Sequence, residues 1–293
     1  MRHMNKIKSI LGAAAISLAA LAAPAMAQEH STPTIEKEPW TFAGLFGTYD
    51  RDQLQRGFQV FKDVCSGCHS AHLLAFRNLS EPGGPEYTED QVKALAASYE
   101  IADADAEGGK RPGIAADRWP SPFANDQEAR DANGGALPPD FSVIAKARGT
   151  TTPFPFWIWN YISGYSEGGP DYIHALLNGY EDEVPEGILG SDGKPLELAE
   201  GKHFNHFFPG YAIGMPPPLS DGAVTYDTPE EGVAPVPETV EQYSRDVSAF
   251  LMWVAEPHLV ARKEAGMQVL VFLIVFAGIM YLVKRRLWAK VEH

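Results

Sequence analysis

Only two cysteines occur in the 293 residues, and they stand three positions apart in Cys65-Ser66-Gly67-Cys68-His69. So close a pair rules out a disulfide framework as the source of stability. A bridge across so tight a loop would also be strained. A zinc site would need a second pair of ligands, and no further cysteine exists to start one. A thioredoxin-type redox pair follows a strand, whereas the residues before Cys65 carry a helical pattern. The remaining reading is haem attachment. Two thiols on a helical turn reach the two vinyl groups of a haem and form thioethers, and the histidine that follows is held under the iron as an axial ligand. Ser66 and Gly67 are small enough to let a porphyrin lie close to the backbone.

A haem iron has a second axial position. Eight other histidines and seven methionines could supply the ligand. Met252 falls on an amphipathic helix, where a core role accounts for it. Met215 stands in Gly214-Met215-Pro216-Pro217-Pro218, shortly after Pro209-Gly210. Prolines stiffen such a loop and lower the entropy lost when it is ordered, so a thioether could be held at fixed distance from iron. Methionine opposite histidine stabilises ferrous iron and raises the potential. His203 and His206, which flank Phe204 in a polar loop, remain the alternatives at this stage.

Two segments stand apart from the soluble fold. Arg2, Lys6 and Lys8 precede an apolar run from Ile10 to Ala23, and Ala25-Met26-Ala27 has the small-x-small pattern of a leader cleavage site. Residues 1–27 therefore read as a signal peptide, too short in its apolar part to be an anchor, with the mature chain starting at Gln28. Residues 265–283 carry no charge and are long enough to cross a bilayer. Lys284, Arg285 and Arg286 follow at once, the flank expected of a stop-transfer segment. The topology that follows is single-pass in a bacterial inner membrane: residues 28–264 form a periplasmic domain, 265–283 a transmembrane helix, and 284–293 a cytoplasmic tail.

The whole chain carries 24 basic and 38 acidic residues, a formal net charge of -14, which argues against nucleic acid as a partner. Setting aside three basic residues in the leader, and four basic and one acidic in the tail, leaves 17 basic and 37 acidic residues outside the membrane, or -20. Such a surface favours a basic partner through long-range steering.

Between these segments the pattern is helical and loop-rich. A helix is predicted from Asp50, with Asp50 and Gln53 as a capping pair and Leu54, Phe58 and Phe61 on one face. Further helices are expected over Thr88–Tyr99, Asp140–Ala147, Pro170–Asn178 and Thr239–Ala255, the last strongly amphipathic. Residues 100–139 and 181–236 read as loop, and no strand pattern stands out. Long loops in one domain normally count against an assignment. A haem changes that, because it is a large apolar disc on which loops pack. The fold expected is mainly α, a loop-rich class I cytochrome c-like domain around one covalent haem c, with one C-terminal transmembrane helix.

The chain resembles the cytochrome c1 family, the haem subunits of the cytochrome bc1 complex (ubiquinol–cytochrome c reductase). The resemblance covers nearly all of the mature chain. It rests on Arg56-Gly57-Phe58-Gln59-Val60 leading into the haem motif, and on Gly135-Ala136-Leu137-Pro138-Pro139-Asp140 with Ala147-Arg148. Phe208-Pro209-Gly210 with Ala212-Ile213-Gly214-Met215-Pro216-Pro217 adds to it, as does Ala255-Glu256-Pro257 with Arg262-Lys263 before the single span. It implies that Met215 is the sixth ligand, that Arg148 and Tyr172 reach the haem propionates, and that Asn133 and Pro139 line the haem edge. It also implies partners: a cytochrome b subunit, a Rieske iron–sulfur protein that delivers one electron, and a soluble or anchored cytochrome c that removes it, within a dimeric complex. Two departures stand out. Gly149 to Gly169 is longer than in mitochondrial members. Some bacterial members pin the methionine loop with a disulfide, for which this chain has no cysteines.

Other functions remain to be separated from this one. A catalytic haem enzyme such as a peroxidase needs an open iron position, which a Met215 ligand would close. A free-standing tethered cytochrome would hang its domain on a flexible linker, whereas Pro257 to Glu264 leaves only eight residues between the last domain helix and the span.

Overall fold

The helix that leads into the cysteine pair starts where its cap residue stands. In the computed structural model, which describes residues 35–290 except 150–154, 156, 164, 166, 191 and 227–233, Asp50 Oδ1 accepts the Gln53 amide at 2.7 Å and α1 runs Arg51–Asp63. The leader 1–27 and residues 28–34 lie outside the described residues, as do Phe154 and Phe156 and the acidic residues Asp227, Glu230 and Glu231. Further helices are α2 (Glu89–Ala97), α3 (Asp126–Ala132), α4 (Ile144–Ala147), α5 (Trp157–Ser163), α6 (Gly168–Asn178), α7 (Val240–Ala255) and α8 (Leu259–Trp288). The expected caps are present: Thr88 and Gln91 form a reciprocal capping box on α2, Thr239 caps α7, and Gly179 ends α6.

The core lies where α1 crosses α7. A Cβ on Gly57 would stand 2.1 Å from the Asp246 carbonyl oxygen, so only glycine lets the two backbones meet there. Arg56 closes over the crossing with Nε and Nη2 at 2.9 and 3.2 Å from the Asp246 carboxylate. Asp246 is fully buried, yet it also accepts from Tyr226 and Gln242, so its charge is paired and its lone pairs are used. Around it Phe58, Phe61, Trp119 and Phe250 pack ring against ring at 5.2–5.7 Å. Helix α6 packs on α7 and on α4, and a Cβ on Gly169 would fall 1.6 Å from the Ala145 carbonyl oxygen.

Three expectations are corrected. The loops contain strands: β1 (Glu100–Ala102) pairs antiparallel with β2 (Lys110–Pro112), and β3 (Tyr180–Glu181), β4 (His203–Asn205) and β5 (Ala212–Ile213) form a second antiparallel sheet. Strands of two or three residues are too short to display alternation. The helix expected from Asp140 begins only at Ile144, because Asp140 and Ser142 spend their side chains on residues 70–73 instead. The connector before the span shrinks to three residues, since α8 already starts at Leu259. At that break Glu256 pairs with Lys146 at 2.6 Å and with Arg262.

Helix α8 is 30 residues long, about 45 Å at 1.5 Å per residue, and its most apolar stretch has a mean hydropathy of 2.4 with none of it buried in the protein. Among the described residues it is the one helix long and apolar enough to cross a membrane.

Candidate functional site

The last turn of α1 tightens into a short 3-10 turn, Cys65–Gly67, and then stops. The amides of Cys68 and His69 both donate to the Cys65 carbonyl, at 3.1 and 2.9 Å, so the two cysteines and the histidine share one turn. Both thiols are free. Burial pushes the Cys65 thiol up to about 12, and the neighbouring Cys68 adds to the shift, so as a thiol it is inert toward solvent.

His69 is buried and held from two sides. Its Nδ1 lies 2.8 Å from the Pro139 carbonyl oxygen, and its ring stacks on Phe141 with centroids 4.0 Å apart and planes 18° from parallel. A carbonyl accepts only, so Nδ1 carries the hydrogen and Nε2 carries the lone pair, the tautomer a metal ligand requires. Nε2 has no partner among the described residues. Burial lowers the pKa of the ring, against the pull of Pro139 and Asp140, and keeps it neutral.

The strap that supplies Pro139 and Phe141 is sewn to the residues after His69. Asp140 accepts from the Ser70 hydroxyl at 2.7 Å and from the His72 amide at 2.9 Å, the Phe141 amide donates to the Ser70 carbonyl at 2.7 Å, and Ser142 Oγ accepts from the Leu73 amide at 2.9 Å. Burial alone would raise the Asp140 carboxyl, but hydrogen bonds from Ser142, His72 and Ser70 hold it down at about 2.

Met215 sits half-buried on a second loop. The Tyr180 hydroxyl donates to the Met215 carbonyl at 3.1 Å. Gly214 lies against Ala136, where a Cβ would come within 3.2 Å of the alanine methyl, so this loop touches the segment just before the Pro139 strap. The loop is built by β4 and β5, with Phe204 opposite Ala212, and by Asn205. The Asn205 side chain is fully buried. It donates to the Leu176 carbonyl at 2.7 Å and accepts from the amides of Phe207 and Phe208 at 3.0 and 3.1 Å. Tyr211, which closes the turn, has a φ of 62°, a conformation rarely taken by a bulky residue and held here by its neighbours.

The model of the Cytochrome C1 family matches residues 40–291. A protein named cytochrome c1 from Rhodospirillum rubrum is 43% identical over 98% of this chain and 98% of its own length, and one from Blastochloris viridis is 45% identical over 94% and 93%. The chain belongs to the cytochrome c1 family. A third relative, named cytochrome b/c1, from Bradyrhizobium diazoefficiens, is 52% identical over 85% of this chain, which spans only 35% of that longer protein. The mainly helical fold with little sheet, and the long apolar helix at the C-terminal end, agree with the class I cytochrome c-like domain and membrane anchor of the family.

The residues present fit the haem c of a cytochrome c1. Two free thiols and a histidine with an unclaimed Nε2 share one turn, and among the described residues no group of three His, Cys, Asp or Glu would suit a bare metal ion instead. Of the other expected site residues, Arg148 is exposed at the end of α4, and Tyr172 on α6 is near enough that burial raises its phenol while the Arg148 charge opposes the rise. Burial, with Tyr172 as a smaller cause, likewise raises the phenol of Tyr180. Arg148, Tyr172, Tyr180 and the Met215 loop thus form one neighbourhood. Asn133 ends α3 and spends its amide on the Ala129 carbonyl at 2.7 Å. Pro139 contributes its carbonyl to His69. Of the competing ligands, His206 lies 2.6 Å from Glu181, and Met252 is fully buried in the core. Sequence reasoning missed Phe141, Tyr180 and Asn205. Each is an ordinary residue whose role exists only through a partner far along the chain.

Proposed function

We propose that this cytochrome c1 carries one haem c, bound by thioethers at Cys65 and Cys68 and ligated by His69 and Met215, as the electron-transfer subunit of a cytochrome bc1 complex. It takes one electron from the Rieske iron–sulfur protein and passes it to a soluble or anchored cytochrome c, so supporting quinol oxidation and proton translocation by quinol–cytochrome c reductase. Its other partner is the cytochrome b subunit, in a dimeric complex. The haem domain, residues 28–264 after removal of the leader 1–27, stands on the periplasmic side of a bacterial inner membrane, with the span over 265–283 and the tail 284–293 beyond it.

The observation that carries this reading is the tautomer of His69, set by the Pro139 carbonyl, in a ring stacked on Phe141 and placed on the same turn as two free thiols. Bound there, haem c supplies a one-electron iron couple. The chain's own residues do the rest. His69 and Met215 would hold the iron from the protein side, which would leave no place on it for a substrate and would favour a high potential. Arg148 and Tyr172 neutralise and hydrogen-bond the propionates, while Asn133 and Pro139 line the haem edge.

Purification of the chain in mild detergent tests the assignment. The expected result is a covalent haem that survives denaturation, no carbon monoxide binding to the reduced form, and co-purification of a b-type cytochrome and an iron–sulfur protein. A reduced form that binds carbon monoxide readily would instead indicate an open iron and a catalytic haem protein.

A further inference from the structure

A short loop beside the start of α8 has the build of a second membrane contact. Residues 44–47, Gly-Leu-Phe-Gly, turn sharply: Gly44 takes φ +69°, and a Cβ on Gly47 would lie 2.1 Å from the Ala43 carbonyl oxygen. The tip is apolar and out in the open, with Leu45 50% and Phe46 79% exposed. The base is rigid. Trp40 stacks on Phe42 at 5.4 Å, Phe42 packs on Tyr49 at 5.1 Å, and the Thr48 amide donates to the Thr41 carbonyl at 3.1 Å. The base is also tied to α8, because Lys263 Nζ donates to the Phe42 carbonyl at 2.6 Å.

Between loop and helix runs a groove of about 650 Å³, with Leu45 and Phe46 on one wall and Lys263, Met267, Val271 and Phe272 on the other. Lys263 is the last basic residue before the uncharged segment, whereas Met267, Val271 and Phe272 belong to that segment. One helical turn from Met267 to Val271 carries the groove about 6 Å along the span. A loop tip that shares a groove with these residues stands at the depth where the span enters the hydrocarbon.

We propose that Leu45 and Phe46 lie in the boundary between phospholipid headgroups and acyl chains, and that a phospholipid acyl chain fills the groove between this loop and α8. Three observations decide for lipid. The groove is continuous with the surface of α8, whose apolar stretch is wholly exposed and is the membrane anchor. Its lining is mostly apolar, with Thr48, Glu264 and Gln268 the polar exceptions beside Lys263, so water there would gain few hydrogen bonds. At its edge the Lys263 ammonium has three donors, of which Phe42 takes one, leaving donors for a headgroup phosphate. Apolar side chains beside a cation are the pattern by which a surface element sits in the membrane interface. A single helix would leave the domain free to swing, and a second contact tied to a rigid base restrains its tilt.

The test is spin-label accessibility in the full-length haem protein, kept with its co-purifying subunits in phospholipid nanodiscs. Nitroxides are placed at Phe46→Cys and Met267→Cys, with Leu270→Cys as a membrane reference, Glu86→Cys as an aqueous one, and the unsubstituted chain as control for uptake at Cys65 or Cys68. Expected is strong relaxation by oxygen and weak relaxation by a water-soluble nickel chelate at both positions, shifted toward the Leu270 reference. Relaxation by nickel at Phe46 as strong as at Glu86 would place the loop in water and overturn the proposal. Exclusion of both reagents would mean that protein, not lipid, covers the groove, and would overturn it equally.

Discussion

The two loops that serve this cytochrome c1's haem site are held in different ways. On the His69 side the two cysteines and the histidine occupy one turn, and a strap 70 residues further along, 139–142, is sewn to residues 69–73 by a run of short hydrogen bonds. The Met215 loop has no such one-turn grouping. The loop hangs from Tyr180, 35 residues away, and from Asn205, whose amide reaches back 29 residues to Leu176. The contrast teaches that His69, one proposed ligand, is joined to its thiols by chain connectivity and braced by a distant strap, whereas Met215, the other, depends on a tertiary scaffold alone. The Met215 side is therefore the easier one to loosen without unfolding the domain.

That asymmetry is open to attack by substitution. The largest effect is expected at Met215 itself. Met215→Leu should retain covalent haem and lower the midpoint potential by on the order of 0.1 V or more, within the roughly 0.8 V that axial ligands command. A potentiometric titration reads it, and an unchanged potential removes Met215 from the site. Asn205→Ala should come next. It strands two amides and a carbonyl in a buried place, at about 2–4 kcal/mol of stability. The absorbance of the methionine–iron bond should weaken while the thioethers persist, and Asn205→Asp, which keeps the acceptor, should recover part of it. If Asn205→Ala loses stability but keeps that absorbance fully, the asparagine supports the domain and not the ligand.

Tyr180→Phe removes a single hydrogen bond and should cost about 1 kcal/mol, with a small fall in potential and more carbon monoxide binding than the parent. Equal effects from Tyr180→Phe and from a comparable cut on the His69 side, Ser70→Ala, would break the comparison. The smallest expected effect concerns docking. Glu181, Asp182, Glu183 and Glu186 follow Tyr180 on the Met215 side, and residues 28–264 carry a formal charge of -20. Electron-transfer encounters rely on attraction more than on area. The second-order rate with a basic cytochrome c should fall as salt shortens the Debye length to about 8 Å at physiological strength. A rate flat across the salt series would move recognition away from these acids, toward contacts nearer the haem edge.

How much of this could be read in the sequence follows from the same division. The cysteine–histidine turn, the capped helix before it, the amphipathic helix Val240–Ala255 and the apolar span are all statements about neighbours within one or two turns, and the sequence displays such statements as spacing. Met215 stands out for its prolines, although the residues alone leave His203 and His206 as rivals and only the family resemblance favours the methionine. The short strands, the early start of α8, and the parts played by Phe141, Tyr180 and Asn205 were invisible in the sequence. A tyrosine hydroxyl or an asparagine amide carries no mark of which distant carbonyl it will meet, and a two-residue strand has no period to show. That a haem is bound and that the chain is tied to a membrane could be read from contiguous residues, because thioether attachment and bilayer crossing depend on neighbours in the chain. Which nitrogen of His69 is free, what holds the methionine loop without a disulfide, and what faces the head of the span come from the tertiary fold, because each depends on groups far apart in the chain that folding alone brings into contact.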